Sequence, residues 1–315
     1  MIGVVIPYFQ REPGVLRRAV ASVIAQRDVQ LPVHLCIVDD SSPLPAHQEL
    51  AGLESGGVDV NVVVQPNGGP GAARNRGLDS LPSSCEFVAF LDSDDEWAPD
   101  HLARAMLALA SGANVYFSNF YQLGQTVGAF ERAGRLVANR HPTIDGAPGL
   151  HQYTGDMFDQ VLRGNVIGTP TIVYRRARFE NLRFRNDLAR AGEDYLFWMA
   201  MAHAGARFAF STQIEAVCGR GVNVYSGVEW ATDAFFVRVR NELSYRKATR
   251  RLYALNPEQQ AHVRRCIRQL RRDFALALLS RLRKGPRLPS GLLAAQWRED
   301  AGSLLLLPLA LLPVH

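Results

Sequence analysis

Acidic side chains gather at three points in this chain: Asp39-Asp40, Asp92-Ser93-Asp94-Asp95 and Glu193-Asp194. Like charges that close repel unless hydrogen bonds or a cation offset them. Carboxylate oxygens hold Mg²⁺ or Mn²⁺, and such a cation can in turn hold phosphate groups. Tyr8, after Pro7, supplies a flat ring on which a base could stack. From Asn67 to Gly77 runs Asn-Gly-Gly-Pro-Gly-Ala-Ala-Arg-Asn-Arg-Gly. Its glycines let the backbone approach a ligand, and Arg74, expected on the first turn of a helix, can meet a diphosphate. Together these residues describe a site for a nucleotide diphosphate and a divalent metal. Taken singly, each has a plainer reading. Asp39-Asp40 is then a turn before Ser41-Ser42-Pro43, the Asp92 cluster a solvated helix cap ahead of Pro99, and the glycine run a tight connection. The glycine run has no Gly-Lys-Ser or Gly-Lys-Thr ending, so it is not a P-loop.

For these residues to meet, the chain must deliver them from the same edge of one sheet. Short β-branched runs at Val4 to Ile6, Val33 to Val38, Val60 to Val64, Glu86 to Leu91 and Asn114 to Phe117 alternate with helix-period stretches, the pattern of parallel strands joined by crossover helices. Leu16, Ala19, Val20, Val23 and Ile24 give the first helix one apolar face, with Pro13 expected in its first turn. Open sheets of this kind bind ligands at the carboxyl ends of their strands, where Pro7-Tyr8, Asp39-Asp40 and the Asp92 cluster all fall. Residues 124 to 149 show no clear period. Asn165 to Tyr174 reads as a strand. Glu193 to Ala204 reads as a helix with Leu196, Met199, Ala200 and His203 on one face, which favours His203 as a core histidine over a ligand or proton donor. Tyr195 and Trp198 serve equally as core or as an acceptor platform.

Composition sets the outer limits. With 315 residues, 47% hydrophobic and 21% charged, the chain suits a folded globular protein of one large or two modest domains. No uninterrupted apolar run reaches the roughly 20 residues that span a bilayer, and the N-terminus has no signal-peptide pattern, so a cytoplasmic location is expected. Cys36, Cys85, Cys218 and Cys266 lack zinc or disulfide spacing and read as reduced thiols. The net charge of +5 is uneven. Residues 235 to 287 hold fifteen Lys or Arg against three acids, which leaves the remainder net negative and marks a boundary near residue 230. There Val263, Ile267, Leu270, Phe274 and Leu278 form a helical stripe with arginines mostly outside it.

The ordered motifs Val4-Val5-Ile6-Pro7-Tyr8, Ile37-Val38-Asp39-Asp40-Ser41-Ser42, the loop through Ala73-Arg74-Asn75, Phe90-Leu91-Asp92-Ser93-Asp94-Asp95 and Gly192-Glu193-Asp194 resemble the family 2 glycosyltransferases of the GT-A fold. The resemblance covers about residues 1 to 205. Gln65 to Gly71 and Gly219-Arg220-Gly221-Val222-Asn223-Val224-Tyr225 further resemble β-glucosyltransferases of succinoglycan-type exopolysaccharide assembly. The resemblance implies a Rossmann-like α/β catalytic domain over residues 1 to 230, with a mostly parallel sheet and flanking helices, followed by a basic helical tail over 231 to 315.

It also implies roles. Pro7, Tyr8, Asp40, Gly71, Arg74, Asp92 and Ser93 would bind the nucleotide sugar, with Tyr8 facing uracil, Asp40 its imide, Arg74 the base or diphosphate and Asp92 the ribose. Asp94 and Asp95 would hold Mn²⁺ or Mg²⁺, and Asp194 would be the catalytic base. The expected reaction is one inverting displacement that moves a hexose, glucose from UDP-glucose, to a hydroxyl of a lipid-linked oligosaccharide. Processive relatives carry Gln-x-x-Arg-Trp; Gln296-Trp297-Arg298 does not match, so one sugar per encounter is expected. The tail, residues 235 to 315 with the proline-broken run Leu304 to Val314, would lie on the inner face of the membrane; a homodimer contact or packing on the catalytic domain is the alternative. Two rival classes are a catalytically silent scaffold and a nucleic-acid binder working through the arginines, though no nucleic acid is expected as partner.

Overall fold

A computed structural model of the chain describes residues 1–188, 192–221, 228–284 and 287–305. The first part alternates as β1 (Ile2–Tyr8), α1 (Val15–Ile24), β2 (Val33–Asp39), α2 (Ala46–Glu49), β3 (Asp59–Val64), α3 (Pro70–Ser80) and β4 (Phe87–Phe90). Then come β5 (Glu96–Trp97), α4 (His101–Ala110), β6 (Val115–Tyr121), α5 (Ala129–Ala133), β7 (Leu150–Gln152), α6 (Met157–Arg163) and β8 (Val173–Arg175). α7 (Glu193–His203) and β9 (Phe208–Val217) precede the helices α8 (Asp233–Leu252), α9 (Pro257–Lys284), α10 (Leu292–Asp300) and α11 (Gly302–Leu305). The chain divides into two compact units, residues 1–189 with 197–222 and residues 190–196 with 223–315.

The first unit carries the sheet, in the order β3-β2-β1-β4-β8-β6-β9-β5, with β7 also paired to β9. β3, β2, β1 and β4 run parallel, as do β6 and β9, while β8, β5 and β7 run antiparallel to their neighbours. The mostly parallel α/β sheet expected from the alternating pattern is therefore present. β1 is buried at all seven positions, as a strand covered on both faces must be. On one face α1 buries Leu16, Ala19, Val20 and Val23 into the core. α3 packs close to β1 on its own side, because a Cβ at Gly77 would overlap Val5.

Two local expectations are corrected. α1 begins at Val15, not at Pro13: Gly14 is its N-cap at φ 80° and donates its N–H to Glu49 Oε2 at 2.6 Å. Asn165 to Tyr174 is no single strand. Asn165 turns the chain by bonding to Ile167 N–H and C=O, Thr169–Thr171 forms a 3₁₀ turn at Pro170, and only Val173–Arg175 joins the sheet. The unplaced stretch 124 to 149 holds α5 and a 3₁₀ turn at Ala138–Arg140.

The second unit is helical. Phe236 of α8 meets Phe274 of α9 edge to face at 5.2 Å, and Val263, Ile267, Phe274 and Leu278 are buried as their period requires. Arg271 grips Asp300 with two bonds of 2.8 and 2.7 Å and so ties α9 to the end of α10. Among the described residues no helix is long and apolar enough to cross a membrane, and all four cysteines are free thiols.

Candidate active site

Because β1, β2 and β4 are parallel, their carboxyl ends share one edge of the sheet, and the loops that follow them carry the acids. Pro7 and Tyr8 close β1 opposite Val38 and Asp39. Tyr8 corrects the expectation of base stacking. Its ring is fully buried in the core with Ile6, Leu16 and Ala46, and burial pushes its hydroxyl up to about 12. A ring enclosed on both faces offers no platform.

After β2 the two aspartates divide the work of building the rim. Asp39 accepts from Ser42 N–H at 2.7 Å and Ala46 N–H at 2.8 Å, which folds the loop after β2 back onto its strand. Asp40 holds the glycine-rich segment: Oδ1 accepts from Gly68 N–H at 2.8 Å and Gln65 Nε2 at 2.7 Å, and Oδ2 from Gly69 N–H at 2.8 Å. Asp40, expected to face the base imide, is thus a buried anchor for the loop. Gly69 has φ 85°, where a side chain is strained, and this bend aims the following residues into α3. Gly71 is buried at the second position of α3.

Arg74 lies one turn into α3 rather than on its first turn, and is 4% exposed. Its Nη2 donates to Asp92 Oδ1 at 2.6 Å while the guanidinium lies over Phe184, 5.3 Å from the ring centre. A buried, charge-assisted bond of this kind fixes Asp92 rather than leaving Arg74 open to a phosphate. Ser93 is buried and accepts from Gln10 Nε2 at 3.1 Å; Gln10 N–H in turn donates to Ser42 Oγ at 2.9 Å. Gln10 therefore links the loops after β1, β2 and β4, a role that no local pattern announces.

The remaining two acids differ in their surroundings. Asp95 is 5% exposed, accepts from Gly219 N–H at 3.0 Å, and its carboxyl is pushed well above the carboxylate range by burial and by Asp92 and Asp94. Asp95, expected beside the metal with Asp94, thereby seats the backbone just after β9. Asp94 is half-buried, and burial together with the Asp92 charge raises its carboxyl to about 6. Gly219 and Gly221 lie flush against it: a Cβ on the first would overlap the Asp94 carbonyl oxygen, and one on the second the Asp94 carboxylate. Residues 222 to 225 of that motif lie outside the described residues.

Among the described residues no three His, Cys, Asp or Glu side chains group to hold a metal by themselves. The acid turn nevertheless fits a divalent cation in part. Its donors are hard oxygens, and burial, with the neighbouring Asp92 charge second, raises the Asp94 carboxyl; a cation would offset both.

Asp194 stands in the first turn of α7, in the segment of that helix belonging to the second unit. The helix opens at Gly192, whose φ of 85° and contact with Tyr245 leave no room for a Cβ. Asp194 Oδ1 accepts from Tyr195 N–H at 2.9 Å, and the Tyr195 ring meets Tyr245 edge-on at 5.4 Å. Later in α7, Trp198 is fully buried with Phe90, Phe184 and Phe197 and is core rather than a platform. His203 is exposed, with its ring 6.0 Å from Phe158, which corrects the expectation of a core histidine.

A buried charge network behind the acid turn also escaped the sequence. Glu215 on β9 is 0% exposed and accepts from Arg104 Nε at 2.7 Å and Tyr116 Oη at 2.6 Å, with His101 Nδ1 at 3.0 Å. Its only trace in the sequence is a lone acid between Ile214 and Ala216.

The glycosyl transferase family 2 model matches residues 3–178. Over 305 residues, 93% of this chain and 92% of the other, the sequence is 34% identical to the succinoglycan biosynthesis protein ExoW of Rhizobium meliloti strain 1021. It is 30% identical to ExoO of the same organism over 61% of this chain and 53% of that one. Among solved structures, S. aureus TarS 1-349 in complex with UDP-GlcNAc superposes with a TM-score of 0.56 at 16% identity, over 98% of this chain and 90% of that one. The mannosyltransferase PcManGT from Pyrobaculum calidifontis, in complex with GDP-Man and Mn²⁺, gives 0.57 at 17% identity over 97% and 80%. At such identities the two structures speak for the fold, which is GT-A-like.

Proposed function

We propose, from the premise that this chain belongs to glycosyl transferase family 2, that it transfers a hexose from a UDP-sugar, glucose from UDP-glucose, to a hydroxyl of a lipid-linked oligosaccharide in exopolysaccharide synthesis. The observation that carries the reading is the acid turn at the carboxyl end of β4. There Asp92 is fixed by Arg74 and Ser93 by Gln10, and Asp94 is left with a raised carboxyl on a half-buried site. The similarity to ExoW supports the exopolysaccharide assignment. The UDP-GlcNAc bound to TarS and the Mn²⁺ bound to PcManGT support a nucleotide-sugar donor and a divalent metal.

In this reading Asp92 and the rim formed by Gly71 and Ser93 bind the nucleotide, with Arg74 acting through Asp92. Asp94 holds Mn²⁺ or Mg²⁺. When bound, the cation neutralises charge that develops on the departing diphosphate. Asp194 takes the proton from the acceptor hydroxyl; the helix N-terminus on which it stands favours its ionised form. A single displacement with one base inverts the anomeric centre and transfers one sugar per encounter. The test is UDP release by purified protein from a panel of nucleotide sugars, with and without Mn²⁺ and with lipid extracts as acceptor. Donor-dependent release that rises with acceptor and disappears in EDTA supports the reading; metal-independent turnover, or none with any donor, overturns it.

A further inference from the structure

The second unit turns one side of α9 to solvent. Arg264, Arg265, Arg268 and Arg272 are all exposed there, at a spacing that keeps them on one stripe separate from the one that buries Ile267, Phe274 and Leu278. Among the described residues Arg265, Arg268 and Arg272 have no carboxylate partner. A row of guanidinium groups with no carboxylate among them sets up a positive potential that attracts an anionic surface.

The stripe does not stand alone. Arg271, next to Arg272, holds Asp300 at the junction of α10 and α11. On either side of that junction Leu293, Trp297 and Leu305 are 44, 57 and 68% exposed. Leu293 and Trp297 are one turn apart on α10 and share a face. Single exposed apolar residues are ordinary, but an exposed Trp and two exposed leucines close together in sequence, on the helices α10 and α11 that pack on α8 and α9, are not. From residue 306 to 314 the sequence adds no charged residue at all.

We propose that this side of α9 with α10 and α11 is a lipid-docking surface, in which the arginines meet anionic headgroups and Trp297, Leu293 and Leu305 enter the boundary between headgroups and acyl chains. Basic residues beside an aromatic and aliphatic patch are what a surface-lying, non-spanning segment requires. A two-fold contact centred on the stripe would set arginines against arginines, which disfavours a second copy as the occupant. Phosphate binding to a nucleic acid would have no use for the exposed Leu293 and Leu305. The purpose of the surface rests on the transferase reading, since a lipid-carried acceptor resides in the bilayer; the surface itself rests on its own residues.

The test is flotation of the full chain with phosphatidylcholine vesicles that contain phosphatidylglycerol, against pure phosphatidylcholine, at low and high salt. Each near-surface arginine contributes roughly five-fold in partitioning, so the triple variant Arg265→Gln, Arg268→Gln, Arg272→Gln should bind on the order of a hundred-fold more weakly. Trp297→Ser should also weaken binding, with salt dependence retained. Hydrolysis of the donor in solution should be unchanged in both variants, which shows that they are folded. Binding that depends on anionic lipid and is lost in the triple variant supports the proposal. No flotation, equal flotation of wild type and variants, conversion of a dimer to a monomer by Trp297→Ser without vesicle binding, or retention of RNA without flotation would overturn it. A protein that floats as expected yet turns over no donor would overturn the transferase reading and leave the docking surface standing.

Discussion

Glu215→Gln is a substitution that keeps shape and removes one charge from a fully enclosed ion network of the first unit. The carboxylate accepts from Arg104, Tyr116 and His101 with no exposure to water. An amide presents one acceptor oxygen and turns an NH₂ toward a former donor, so at least one of these bonds is lost. Deleting one partner of a buried ion pair costs about 3–5 kcal/mol because the other charge remains. The Arg104 side chain is 12% exposed and keeps its bonds to Pro148 O and Ser211 Oγ, so the lower end of that range applies. A loss of about 3 kcal/mol should lower Tm by roughly 6–12 °C in a unit of this size. Thermal unfolding followed by circular dichroism reads it directly. Adding Arg104→Gln to Glu215→Gln should recover at least ~1 kcal/mol, because the stranded charge is removed with its partner. The same network fixes a pH dependence. Burial alone would raise the Glu215 carboxyl, but hydrogen bonding and charge from His101, with bonds from Ser211 and Tyr116, outweigh it and hold the group below its ordinary value. Its stabilisation is therefore present above the unfolded carboxyl range and is lost as pH falls through the lower folded value. The variant should show less acid sensitivity than the wild type. A Tm within about 2 °C of wild type, or equal acid sensitivity, would mean that Glu215 is not held as a buried carboxylate.

Three further outcomes are expected at the site. Asp94→Asn should abolish transfer and remove the gain in UDP affinity produced by Mn²⁺ in calorimetric titration; full activity in EDTA would contradict this. Asp194→Asn should leave UDP affinity nearly intact and lower the transfer rate by about 10² to 10⁴, whereas unchanged transfer would move the base, with Glu193 next in line. Gly219→Ala would drive a methyl into the Asp94 carbonyl, so it should weaken Mn²⁺-dependent UDP binding by at least about ten-fold; wild-type binding would show that the acid turn yields without consequence.

The parallel strands of the first half and the order in which they carry acids were legible in the amino-acid pattern, whereas the turns within 124 to 149 and 165 to 174 were not. Val4 to Ile6, Val33 to Val38 and Glu86 to Leu91 form β1, β2 and β4, and the helix after β1 buries the residues its period marked. These features are local: β-branched runs and a 3.6-residue repeat report which side of an element is apolar, and parallel strands then bring their loops to one edge. Which side chain meets which was decided by the tertiary structure. Gln10 reaches Ser93 across 83 positions, Arg74 turns to Asp92, Gly219 closes on Asp95, and Glu215 gathers partners from α4 and β6. Periodicity assigns a residue to a face and says nothing of the neighbour on the next strand. For that reason Tyr8 and Asp40, conspicuous at strand ends, are a core ring and a loop anchor, while His203, on an apolar stripe, is exposed because α7 runs out of packed surface before its last residue. Three adjacent aspartates look equivalent in sequence. Only their different enclosure, with one fixed by an arginine, one buried under a backbone N–H and one half-open, makes them chemically distinct.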